Sequence, residues 1–92
     1  MIDPSDREVQ QLCQHLQIDS DFFVQCVQES VVEIHEIDGR LELSNGTVLR
    51  LRQLERICTT LDVSLSGAML LLELTKRVAE LEEKINMLHS TH

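Results

Sequence analysis

Residues 31–44 read VVEIHEIDGRLELS, and this stretch decides what kind of domain the chain can build. Ile34, Ile37, Leu41 and Leu43 are set among polar residues on either side of Asp38-Gly39. That pair is favoured in two-residue hairpin turns because both of its central positions need a positive φ. The spacing predicts a short two-stranded antiparallel hairpin. Everything around it has helical spacing, so the hairpin interrupts a chain that is otherwise helical.

Upstream, the sequence SDRE at residues 5–8 reads as a capping box, with Ser5 facing the amide of Glu8 and Glu8 reaching back. Val9, Leu12, Cys13 and Leu16 follow at helical spacing and predict a first helix to about Gln17. Asp19 or Ser20 offers a new start, and Phe23, Val27 and Ser30 fall on one face of a short second helix over residues 20–30. Downstream, Ser44 to Thr47 open a third helix with Leu51, Leu54, Ile57, Cys58 and Leu61 on one side. Leu51 and Leu54 are expected in the core. DVSLSG at residues 62–67 breaks this helix, and Ser64 can cap a last one that continues to about His89.

Within the last helix Leu71, Leu74, Val78, Leu81, Ile85 and Leu88 alternate spacings of three and four, which is a heptad seam. The expectation is one winged-helix domain over residues 1–66 and a C-terminal helix over 67–92. Its first turns would pack on the domain, and its later turns would pair with a second copy. Val78 and Ile85 at a positions with Leu74, Leu81 and Leu88 at d favour two parallel strands, with Arg77 facing Glu82 across the pair.

The chain has 92 residues and a net charge of −8, and the charge is uneven. Residues 1–45 hold ten Asp and Glu against Arg7 and Arg40, whereas residues 46–92 hold six acids and six bases. A surface of the first kind repels phosphate, because nucleic-acid affinity comes largely from Lys and Arg. It attracts a basic protein. The second helix, where a helix-turn-helix protein carries its DNA-reading element, has no Lys or Arg. Major-groove readout is therefore disfavoured and nucleic acid is an unlikely partner. Arg50, Arg52 and Arg56 are the basic cluster; ion pairing with the acidic half or a rim contact is the expected use for them, and a minor phosphate contact is the alternative.

Cys13, Cys26 and Cys58 are odd in number and lack framework spacing, and no apolar leader is read before them. A reduced, cytoplasmic compartment is expected. The apolar run AMLLLEL is too short to span a bilayer, so no membrane association is expected. His15 and His35 read as surface residues, and His89 and His92 lie in the tail. No ligand-type spacing joins the His and Cys residues, so neither a metal nor a cofactor is expected. The isolated glycines and the lack of a nucleophile–base spacing argue against an enzyme.

The order helix, helix, hairpin, helix, long helix resembles MerR-type winged helix-turn-helix regulators. It resembles most the chaperone-modulator (CbpM) family, small MerR-like proteins that bind a DnaJ-type co-chaperone. The residues carrying the resemblance are Glu8-Val9 and Leu12-Cys13, QIDSDFFVQCVQESVVE at 17–33, LRLRQLERICTTLDVSLSGAMLLLEL at 49–74 and TKRVAELEEKI at 75–85. The chain departs from the family at Ser30, where a Gly is common, in a wing without an aromatic, and at Thr59-Thr60.

The resemblance implies a mainly α fold and binding to the J-domain of a CbpA-like co-chaperone, which would be inhibited by occlusion of its Hsp70-docking surface. The alternative is a degenerate MerR-type transcriptional regulator with weak or no DNA binding. Charge and exposure together nominate Asp19, Asp21, Glu29, Glu33 and Glu36 as partner contacts. Phe22 is the apolar anchor if Phe23, which shares the face of Val27, is core. The expected dimer seam is Leu71, Leu74, Val78, Leu81, Ile85 and Leu88, and MerR-type relatives imply an antiparallel pairing where the heptad chemistry favours a parallel one.

Overall fold

The computed structural model describes residues 2–90, so His92 lies outside the described residues. The elements follow as α1 (Arg7–Leu16), α2 (Ser20–Gln28), β1 (His35–Ile37), β2 (Arg40–Glu42), α3 (Asn45–Leu61) and α4 (Leu65–Ser90). The fold is mainly α, a winged helix-turn-helix with a two-stranded wing and a long C-terminal helix.

Most helix starts are fixed by side chains the sequence nominated. Asp19 accepts from the Phe22 amide at 3.0 Å, Ser44 from the Thr47 amide at 3.1 Å and Ser64 from the Gly67 amide at 3.2 Å. Such caps satisfy amides that have no partner within the helix. The first helix is the exception. Its cap is Asp6, whose carboxylate accepts from the Glu8 amide at 3.0 Å, and Ser5 instead donates through its amide and hydroxyl to Asp3 at 2.8 and 2.7 Å. Pro4 favours the turn that the Asp6 amide closes onto the Asp3 carbonyl at 3.0 Å. Ser5 is consumed by that turn, and the helix starts one residue later.

The hairpin forms around Asp38-Gly39, with φ of 53° and 76°, and pairs His35 with Glu42, Glu36 with Leu41 and Ile37 with Arg40. Glu36 and Leu41 therefore share one sheet face, and His35, Ile37, Arg40 and Glu42 share the other. Leu41 packs against the core cluster, whereas Ile37 stays half exposed.

The core lies where α1, α2, α3 and the first turns of α4 meet. Phe23, Leu51, Leu54, Val9 and Cys26 are fully enclosed, with Cys13, Ile18, Val24, Val32, Leu65 and Ala68 around them. Phe22 is only half-buried, so Phe23 is the core phenylalanine. Leu61, expected on the buried side of α3, is exposed. It is the last residue of its helix, and Asp62 turns the chain away from the core in a left-handed conformation.

Gln17, Ser30 and Asp62 all take a positive φ where helices end. After α2 the Ser30 amide donates to the Val27 carbonyl and the Val31 amide to the Cys26 carbonyl, at 3.0 and 2.9 Å, which is a Schellman ending. Ser30 also marks the true end of α2, which stops at Gln28 and not at residue 30.

Burial raises the thiols. Cys26 is pushed up from 9.0 to about 11, chiefly by burial and then by Cys58, Glu29 and Glu55, with Arg50 opposing. Burial, then Asp19 and Glu55, raises Cys13, and burial raises Cys58. All three are free thiols.

Two measurements check this architecture. Left-handed backbone costs an L-residue roughly 1–2 kcal/mol, and Gly returns about 0.4–1 kcal/mol of that as extra unfolded-chain entropy. Ser30→Gly should therefore raise the unfolding free energy by about 0.5–1 kcal/mol in urea titration; a loss would mean Ser30 is not held left-handed. A rise from 9.0 to about 11 cuts the thiolate fraction of Cys26 about hundredfold. In mass-resolved alkylation with iodoacetamide at neutral pH, Cys58 should react first and Cys26 last. Equal rates for the two would mean that the contact between α2 and α3 opens readily.

Candidate functional site

The helix-turn-helix unit buries one side of α2 and leaves the other to solvent. Phe23, Val24 and Cys26 take the inner side. At about 100° per residue, Asp21, Gln25, Gln28 and Glu29 share the outer side, with half-buried Phe22 at its margin. All four outer residues are exposed. Asp21 and Glu29 lie about 12 Å apart along the axis at about 1.5 Å per residue. Two carboxylates, two amides and an aromatic edge thus form one surface without a cation.

The other nominated residues are placed differently. Asp19 is the exposed N-cap of α2, and its carboxylate is engaged in capping. Its own amide donates to Glu55 Oε2 at 3.2 Å, which ties the start of α2 to α3. Asp19 is therefore a structural residue first. Glu29 follows the last turn of α2, and Glu33 is exposed in the connection to the wing. Glu36 is exposed on β1, on the sheet face it shares with Leu41. The structure brings Asp21 and Glu29 onto one helix face, with Glu33 further along the chain. It does not place Asp19 there.

Gln25 and Gln28, which no charge or motif argument singles out, fill the outer face between the two acids. The helical spacing from Asp21 to Gln25 and Gln28 was the available signal. A further cleft between α1 and the hairpin tip is lined by Glu8, Gln11, His15, Asp38 and Arg40.

Arg50, Arg52 and Arg56 do not pair with the acidic half. Among the described residues the ion pair is Arg77 Nε with Glu73 Oε1 at 3.8 Å, within α4. Arg52 and Arg56 lie on the outer side of α3, beside Gln17, Thr59 and Thr60, while Arg50 sits in the crook between α3 and α4 with Met69, Leu72 and Lys76. The reason is helix phase: Leu51 and Leu54 point inward, which turns Arg52 and Arg56 toward water.

Among the described residues no group of three or more His, Cys, Asp and Glu is arranged to hold a metal ion. No single helix among them is long and apolar enough to cross a membrane.

Residues 8–90 match the family model described as MerR HTH family regulatory protein. No curated protein and no solved structure matches the chain significantly. With the matched region running from α1 through the end of α4, and with the helix order, wing and long last helix all in place, the chain belongs to the MerR HTH family of regulatory proteins.

Proposed function

We propose that this MerR-family chain is a chaperone modulator of the CbpM type. It binds the J-domain of a CbpA-like DnaJ-type co-chaperone and inhibits it by covering the basic surface that docks on Hsp70. The observation that carries the reading is the outer face of α2. It sits where a DNA-reading helix would sit and presents Asp21, Gln25, Gln28 and Glu29 with Phe22 at the margin.

A carboxylate-bearing helix facing phosphates is repelled, and the same helix facing a Lys- and Arg-rich helix is attracted. An aromatic ringed by polar groups is a common anchor in protein interfaces. The mechanism is occlusion, and it requires no catalytic group, metal or cofactor. The acidic first half steers a basic partner toward this end of the molecule, and the neutral second half does not compete for it.

A second reading, a weakly DNA-binding regulator, is favoured by the family description and by the exposed Arg52 and Arg56 on α3. Two arginines on a helix that flanks the reading position supply phosphate contacts without base recognition.

Titration calorimetry against the isolated J-domain, at low and moderate salt, separates the two readings. Saturable binding that weakens with salt is expected, with no measurable affinity for duplex DNA in the same buffers. Glu29→Lys combined with Glu33→Lys should weaken J-domain binding roughly tenfold or more, since each reversal replaces an attraction with a repulsion. The fold should persist, because both residues are exposed and a cation suits the C-terminal end of α2. Unchanged affinity in the double variant would move the interface off α2, and absence of binding by the parent protein would remove this partner.

A further inference from the structure

Arg52 and Arg56 are exposed on successive turns of α3, and among the described residues neither has an ion pair. At this spacing the two Cβ atoms are about 5–6 Å apart, so the like charges also repel each other. In a chain with twice as many acids as bases, two cations left in this state are conspicuous. Glu55 lies between them in sequence and lines the same groove, but its Oε2 accepts from the Asp19 amide at 3.2 Å. The carboxylate nearest in sequence to both arginines is thus turned toward the start of α2.

Gln17, Thr59 and Thr60 complete the groove, and all three are exposed. Thr59 and Thr60 follow Arg56 by three and four residues, which sets both hydroxyls one turn along from its guanidinium. Two guanidiniums, two hydroxyls and an amide line one open groove. Such a set suits an anion, above all a carboxylate or phosphate held by forked guanidinium contacts. The groove adjoins the acidic helix: Arg52 and Arg56 are three residues and one residue from Glu55, which is itself bonded to the cap of α2.

We propose that Arg52 and Arg56 receive a carboxylate of the same protein partner that docks on the outer face of α2. The inference rests on the α2 reading and adds to it a charge of opposite sign that the partner must carry beside its basic surface. The surroundings of the groove select an acidic side chain over a nucleic-acid backbone. Duplex DNA carries one negative charge per about 1.7 Å of its axis, so a strand on these arginines would bring further phosphates toward Asp19, Asp21 and Asp62. One carboxylate on a basic protein brings a single charge, and the cations around it meet the acids instead. A two-signed interface also fixes register, because a basic surface shifted along α2 would leave the arginines facing cations.

The test is titration calorimetry of the full chain against the isolated J-domain at moderate salt, and its sign is diagnostic. Arg52→Glu combined with Arg56→Glu makes an acidic chain more acidic. If the arginines lay outside the interface, the added charge would leave affinity for a basic partner unchanged or raise it. With a partner carboxylate in the groove, binding weakens roughly tenfold or more. Arg52→Gln with Arg56→Gln, which removes the charge without reversing it, should fall between this variant and the parent. Both positions are exposed and outside the core, so the fold should persist.

A charge swap gives a second readout. The exposed Asp and Glu residues that border the basic surface of the J-domain are replaced one at a time by Arg. At one of them, affinity for the parent chain should fall and affinity for the Arg52→Glu, Arg56→Glu variant should recover, a coupling that only paired residues show. Recovery at none of these positions would overturn the proposal. Unchanged or tighter binding of the double variant would overturn it too, and would leave the α2 reading standing. A parent chain that binds no J-domain removes both. Duplex DNA bound by the parent and lost by the double variant would assign the groove to phosphate and overturn the proposal as well.

Discussion

The burial of Phe23 in one core with Leu51 and Leu54 is the constraint on which the rest of the molecule depends. A helix of nine residues such as α2 is not stable alone in water. It exists because its inner side is enclosed: Phe23 and Cys26 are fully buried and Val24 nearly so. Side chains of this size contribute about 1.5–3 kcal/mol each when fully buried. The same burial fixes the rotation of α2 about its axis. With Phe23 inward, Asp21, Gln25, Gln28 and Glu29 can only point outward. The hydrogen bond from the Asp19 amide to Glu55 then fixes where the helix begins. Packing thus determines which charges the protein shows to solvent, although none of the packed residues is charged.

Much of this was legible because it is local. Asp38-Gly39 specifies a two-residue turn by its own conformational preferences, and Asp19, Ser44 and Ser64 are read as caps from the residues that follow them. The choice of Phe23 over Phe22 as the core ring could be read from its spacing to Val27. Other features depend on what neighbours do. Ser5 and Asp6 are adjacent acceptors, and only the turn at Pro4 decides between them. The left-handed endings at Gln17, Ser30 and Asp62 carry no glycine, so the usual marker was missing. Leu61 satisfies the spacing of a buried face, yet the chain turns away beside it.

The candidate site was legible by charge and less so by position. The asymmetry between residues 1–45 and 46–92 needs only counting. Which acids share a surface depends on helix phase and strand pairing, and these removed Asp19 to a cap and set Glu36 beside Leu41. The arginines of α3 show the converse error: abundant acid elsewhere in the chain invites pairing, but the inward phase of Leu51 and Leu54 carries Arg52 and Arg56 away from it. Electrostatic complementarity within a chain cannot be inferred from composition when packing has already assigned the directions.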